Sequence, residues 1–166
     1  MMNIHAKAIV IPDNNVDTDV LYPGKYLNVL DPQEAKAHLF EGLDPKLRDL
    51  LKEGDTVLFV GENFGSGSSR EQPATAMAAS GVRAVLGKSF ARIFARNCVN
   101  AGMPAYRNAN AVLAVRQGDD IEIDIATGLV TVSGQAFPSE QMQPLPKEIL
   151  AAGGMVPWVK ENLDKE

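Results

Sequence analysis

The chain has 166 residues, is 45% hydrophobic and 22% charged, and carries a formal net charge of −5. That length and apolar content suffice for one globular domain over residues 1–166 with a sizeable core, and the mild acidity, with no basic run of five or more residues, excludes a nucleic-acid binder. Apolar runs are only a few residues long, which excludes a membrane span; "MMNIHAKAIVIPDN" has no charged n-region ahead of a long apolar core, so it is not a signal peptide and the cytoplasm is the expected location.

In chain order, "HAKAIVIP" (5–12) alternates and is rich in β-branched residues, so it predicts a strand. "DNNVDTDVLYPG" (13–24) reads as a loop whose Asn, Asp and Thr side chains bond locally to backbone. "DPQEAKAHLF" (31–40) opens with an Asp cap and Pro at the first helical position, and "DPKLRDLLKEG" (44–54) repeats that signal and ends on Gly54. "DTVLFVG" (55–61) is a continuous apolar run, a buried strand. "REQPATAMAASG" (70–81) has Ala-rich helix propensity and a terminal Gly81; "VRAVLG" (82–87) is the next strand. "SFARIFARNCVNAG" (89–102) predicts a helix capped by Ser89, with Phe90, Ile93, Phe94 and Cys98 at helical spacing. "AVLAV" (111–115) reads as a short strand, "DDIEIDIATGLVTVSGQAF" (119–137) as strands turning at "ATG", and "PLPKEILAAGGMVPWVKENL" (144–163) as helix broken at Gly153-Gly154. The middle is a βαβα unit with hairpin strands on its flanks, an α/β fold in one domain.

Chemistry concentrates in "GENFGSGSSREQ" (61–72). Gly65-Ser66-Gly67 permits a sharp turn and close approach of backbone to a ligand. Ser68 and Ser69 fall near the start of the next helix, where free amides and the dipole favour an anion, and Arg70 adds a planar fork for carboxylate or phosphate. A plain capped helix, with Ser68 or Ser69 as cap and Glu71 or Gln72 as box partner, accounts for part of the pattern. It leaves unexplained the three small residues before the serines and an arginine in a helix's first turn. The stretch lacks the dinucleotide G-x-G-x-x-G, the Gly-Lys-Ser/Thr ending of a phosphate loop and the G-x-S-x-G elbow. His5 and His38, the only histidines, both precede it and stand apart from any acid or cysteine cluster, so a Ser–His–Asp triad and a self-contained metal site are not expected. Asp17 and Asp19 flank Thr18; such a pair either braces its loop or serves cation binding or proton transfer. Arg92 and Arg96 share one face of their helix, a pattern usual for a solvated face. Cys98, the only cysteine, cannot form an internal disulfide or hold a cluster alone, and reads as a buried thiol.

"DTDVLYPGKYL", "VGENFGSGSSREQ", "GVRAVLGKSFARIFARNCVNAGMPA" and "AAGGMVPWVKE" together resemble the small subunit of 3-isopropylmalate dehydratase and related homoaconitases, equivalent to the swivelling C-terminal domain of aconitase. The resemblance runs over nearly the whole chain. It implies a swivel-type β/β/α fold and half of a hydro-lyase of amino-acid biosynthesis, inactive alone. Such an enzyme moves a hydroxyl between adjacent carbons of a 2-hydroxy acid through an alkene. A 4Fe–4S cluster is then expected in a separate large subunit, with none bound by this chain; pairing of isolated copies with one another is compatible with the sequence. Ser68 matches the family's base serine, Ser69 and Arg70 match groups that hold a substrate carboxylate, and Asp19 matches an active-site aspartate. Asn28 occupies the position that distinguishes substrates. Homoaconitase-like members tend to carry arginine there and isopropylmalate-type members an apolar residue, and Asn28 fits neither: it cannot form a bidentate ion pair, and its amide needs partners if buried. Val29 and Leu30 beside it offer apolar contact. Isopropylmalate is therefore the first expectation, then dimethylmalate, then homoaconitate; a non-enzymic carboxylate-binding module is the alternative of another class.

Overall fold

The computed structural model describes residues 3–67 and 70–165. Seven strands form one mixed sheet in the order β4-β3-β2-β1-β5-β6-β7. They are β1 (Ile4–Ile11), β2 (Thr56–Val60), β3 (Val82–Gly87), β4 (Ala105–Arg107), β5 (Asp120–Asp124), β6 (Leu129–Val132) and β7 (Gln135–Pro138). β1 to β4 run parallel, in register Ile9↔Leu58 and Leu58↔Val85. β5, β6 and β7 continue from β1 as an antiparallel meander. The helices are α1 (Thr18–Leu21), α2 (Pro32–Ala35), α3 (Lys46–Leu51), α4 (Gln72–Ala79), α5 (Arg92–Asn100), α6 (Ala109–Ala114), α7 (Pro144–Ala152) and α8 (Met155–Asn162).

The pleat sorts the core into two layers. Ile9, Ile11, Leu58, Val60 and Val85 point to the face covered by the helices, where they meet Leu21, Leu39, Phe40, Met77, Phe94 and Cys98. Ala8, Val57, Phe59, Ala84 and Leu86 point to the other face. There Ile121, Ile123, Val130 and Val132 of the antiparallel strands join them, with Val115 of the segment after α6, in one cluster. Burial on both faces explains why β2 is apolar from Val57 to Val60, as expected of a central parallel strand.

Most predicted elements form. Asp31 caps α2 by accepting from the Gln33 N–H at 2.9 Å, and Asp44 accepts from the Lys46 N–H at 3.0 Å ahead of α3. The terminal helix breaks at Gly153-Gly154 into α7 and α8. Four local expectations are corrected. "AVLAV" is helix rather than strand: Asn108 caps α6 by accepting from the Ala111 N–H at 3.1 Å, and its alanines favour helix where the short apolar run is ambiguous. Ser89 does not cap α5, which starts at Arg92; its Oγ accepts from the Asn63 N–H at 2.7 Å. α4 begins at Gln72 with Pro73 in its first turn and no side-chain cap, so Arg70 precedes the helix instead of standing in it. The segment 13–24, read as loop, contains the single turn α1, capped by Asp17. β4 is an addition: its three residues are too few for a periodic signal.

Candidate active site

The loops that leave the C-terminal ends of the parallel strands gather at one edge of the sheet, where open α/β sheets place their ligands. The loop after β1 and the loop after β2 are laced together. Gly65 N–H donates to Val16 O at 2.9 Å and Thr18 N–H to Ser66 O at 2.8 Å. Farther out, Asn14 Oδ1 accepts from the Glu62 N–H at 2.8 Å, and Asn63 Nδ2 donates to Asn15 Oδ1 at 3.0 Å. The loop after β3 closes the third side, with Phe64 bridged to Phe90 and packed edge-on against Phe94 at 5.3 Å between ring centroids.

Glycine is required at two points of this lacing. A Cβ on Gly65, at φ +84°, would lie 2.2 Å from Cγ of Phe94; a Cβ on Gly67, at φ +103°, would lie 2.6 Å from Oδ2 of Asp17. Gly65 and Gly67 are therefore set by close approach of an aromatic ring and a carboxylate, and the same approach holds residues 64–67 in one path.

The two aspartates of "DTD" divide between the readings the sequence left open. Asp17 braces: its Oδ1 accepts from the Asp19 N–H at 2.8 Å and caps α1. Asp19 is exposed and turns to the other loop, where its Oδ1 lies 3.4 Å from Nη1 of Arg70, a residue 51 positions along the chain. Arg70 is itself held from behind, for Asn97 Nδ2 of α5 donates to Arg70 O at 3.1 Å. Asn28 is exposed just after the 3-10 turn Gly24–Tyr26, and its neighbour Leu27 accepts from Gln72 Nε2 of α4 at 3.3 Å. Leu30, 80% exposed, shares an open cleft with Arg70, Gln72 and Thr75. Ser68 and Ser69 lie outside the described residues.

The structure thus brings together Asp19, Arg70 and the segment bearing Asn28. Asn97, Gln72, Tyr26, His38 and Glu41, which support them, carried no sequence signal of that role. Each acts on a residue far away in the chain, and only the helical period of "ARIFARNCVN" placed Asn97 on any element. Arg92 and Arg96 are both exposed on one face of α5, as their spacing predicts. Cys98 lies fully buried on that helix, where burial raises its thiol pKa far above the ordinary value. A neutral thiol inside an apolar core is a poor donor to iron, and among the described residues no group of His, Cys, Asp and Glu is placed to hold a metal ion. The donor set of this chain does not fit a 4Fe–4S cluster.

The aconitase C-terminal domain family matches residues 47–109, which contain β2, the lacing loop, α4, β3, α5 and β4. The 3-isopropylmalate dehydratase small subunit of Caldanaerobacter subterraneus is 41% identical over 162 residues, covering 96% of this chain and 99% of the relative. That of Ruminiclostridium cellulolyticum is 42% identical, covering 98% and 99%. The chain belongs to the 3-isopropylmalate dehydratase small-subunit family. A crystal structure of 3-isopropylmalate dehydratase from Methanocaldococcus jannaschii superposes with a TM-score of 0.89 at 38% identity over 99% of this chain and 97% of that one. The curled seven-stranded sheet is accordingly the aconitase swivel-type fold. No helix among the described residues is long and apolar enough to cross a membrane.

Proposed function

We propose that this chain, folded as one swivel-type domain, is the small subunit of a two-subunit hydro-lyase of leucine biosynthesis. The reaction interconverts 2-isopropylmalate and 3-isopropylmalate by dehydration and rehydration. The observation that carries the reading is the meeting of Asp19 with Arg70, on two loops laced together at the sheet edge, in a chain similar from end to end to small subunits of that enzyme.

The guanidinium of Arg70 offers two parallel donors to a substrate carboxylate, and Asn97 fixes the backbone from which it projects. Ser69 adds a hydroxyl to the same carboxylate. Ser68 takes the proton from the carbon alpha to that carboxylate. Its oxyanion form needs a positive surrounding to be accessible without an imidazole, and Arg70 two residues on is one source of it. Asp19, ion-paired with Arg70 in the free subunit, is placed to orient that guanidinium and to exchange it for substrate. The resemblance assigns Lewis-acid activation of the departing hydroxyl to a 4Fe–4S cluster held by the large subunit, whose contribution this chain's donors do not replace.

For the substituent, Leu30 in the cleft with Arg70 favours an alkyl group, and Asn28 supplies no cation for a further carboxylate. Lys25, the nearby cation of that segment, is already engaged by Glu41 at 3.6 Å. Dimethylmalate and then homoaconitate follow isopropylmalate as candidate substrates. The test is reconstitution with a cognate large subunit under anaerobic conditions in the cytoplasm-like buffer of a reducing compartment. Hydration of the unsaturated diacid should appear only in the mixture, and Ser68→Ala should lower turnover about 10²–10⁴-fold, the range of a general base, with assembly intact. Near-normal turnover by that variant sinks the assignment of the base. Tight binding of isopropylmalate or citrate to the isolated chain, with no turnover in the mixture, favours a carboxylate-binding module instead.

A further inference from the structure

The 3-10 turn Gly24–Tyr26 and the residues after it carry Asn28 and Leu30, and a second segment grips that turn. The grip comes from residues 38–42. The His38 ring stacks on the Tyr26 ring, 3.6 Å between centroids and 11° between planes. The Tyr26 hydroxyl donates to Glu41 Oε1 at 3.0 Å. That carboxylate also lies 3.6 Å from Lys25 Nζ and 3.6 Å from His38 Nδ1. From the opposite side the Tyr22 hydroxyl donates to Tyr26 O at 2.9 Å, and the same carbonyl accepts from the Val29 N–H at 3.0 Å. One tyrosine is held at its ring face, its hydroxyl and its carbonyl.

The gripping segment is bound in turn to α1, which carries Asp19. Phe40 is fully buried at φ +62°, a conformation a bulky side chain adopts only when its surroundings impose it. Its N–H donates to Leu21 O at 2.7 Å. Gly42 lies against the backbone of Val20, the residue after Asp19; a Cβ there would stand 2.7 Å from Val20 O. Residues 38–42 therefore link the helical turn that bears Asp19 to the tyrosine that leads to Asn28 and Leu30. The ring they hold is only half-buried, so the contacts add little core and mainly fix direction.

We propose that His38 and Glu41 are positioning residues for substrate selection: by clamping Tyr26 they hold residues 27–30 at a set distance from Asp19 and Arg70. The proposal rests on the dehydratase reading for its substrate, and on the contacts above for its geometry. Removing the clamp frees the wall that meets the alkyl substituent, while the groups that move the proton stay in place.

Two measurements test it. In the reconstituted enzyme, Glu41→Ala and His38→Ala are expected to raise KM for isopropylmalate about tenfold, the order of one lost hydrogen bond or ring contact. They should change kcat less than about twofold and lower the preference for isopropylmalate over dimethylmalate. Glu41→Gln, which keeps an acceptor for the Tyr26 hydroxyl, and His38→Phe, which keeps the stack, should restore KM and preference. On the isolated chain, amide exchange at Leu27 and Val29 should quicken in the two alanine variants and not in the two conservative ones, with unchanged protection in β2. Unchanged KM and preference in Glu41→Ala overturn the proposal, as does a failure of Glu41→Gln to restore them. Faster exchange spread across β2 overturns it too, because the role would then be general stability. If the wild-type pair turns over no alkyl-malate, the dehydratase reading fails, and the exchange measurement still decides whether the clamp exists.

Discussion

β2 is buried along all five residues, whereas β5, two strands away, alternates between exposed Asp120 and Glu122 and buried Ile121 and Ile123. The two strands belong to two kinds of structure within one sheet. On the parallel side the central strands β2 and β3 are buried along nearly their whole length, and the loops after β1, β2 and β3 are joined by backbone bonds and close contacts. On the antiparallel side one face meets solvent, and the surface pairs are His5 with Glu122 at 3.1 Å and Lys7 with Asp120. The difference teaches where this fold puts its precision. A displacement of the β2 loop is felt by Phe94, Asp17 and Arg70 at once; a change on the meander is felt by water.

The largest effect that would sharpen the contrast is Gly65→Ala. A methyl group forced to within 2.2 Å of Phe94 at positive φ should cost about 3 kcal/mol or more by adding overpacking to backbone strain. Denaturant unfolding measures this, and activity should fall with it. Arg70→Ala should leave stability nearly unchanged while lowering kcat/KM about 10–100-fold, the loss of a charge-assisted hydrogen bond to substrate; Arg70→Lys should recover only part, because a point charge replaces a fork. Asp17→Ala removes the cap of α1 and should cost about 1 kcal/mol, visible as a lower unfolding midpoint. On the meander, Glu122→Ala should change stability by at most about 0.5 kcal/mol, as for exposed ion pairs, and leave kcat/KM alone. A loss of activity from Glu122→Ala equal to that from Arg70→Ala would break the comparison.

The smallest effect concerns pH. Loss of hydration pulls the Glu41 pKa upward, but the Tyr26 hydroxyl and the Lys25 and His38 charges outweigh it and hold the carboxyl below the usual glutamate value. A lowered folded-state pKa means the ionised form is favoured by the fold. Its contribution is complete above the usual glutamate range and is lost as pH falls through the lower, folded value. Protection of the Val29 amide, measured against its intrinsic exchange rate at each pH, should therefore fall in acid, and Glu41→Gln should abolish that dependence.

Much of the fold was readable from periodicity. The apolar run of "DTVLFVG", the Asp-Pro starts of α2 and α3 and the alternation of "DIEID" each state local structure, because the residues that decide it lie within the element. The errors share one cause. Asn108 starts a helix in a run that by hydrophobicity alone is strand or helix, and Ser89 is drawn off to Asn63, a partner 26 residues away. At the site, Asp19 and Arg70 were legible as chemistry through the family resemblance. Their meeting, and the split of Asp17 from Asp19, depend on backbone lacing between segments some 50 residues apart. The grip of His38 and Glu41 on Tyr26 is wholly tertiary, and no spacing in the sequence announces it.

Cys98 gives the experimenter a built-in seal. Its thiol is fully buried and kept protonated on α5, the helix whose Asn97 holds Arg70. An alkylating reagent can reach it only when that helix opens, since the reactive species is the exposed thiolate. The labelling rate therefore reports how often the floor beneath the site comes apart, and a substrate that binds the assembled enzyme should slow the labelling. Air and mild oxidants should leave this sulfur untouched for as long as the helix stays closed.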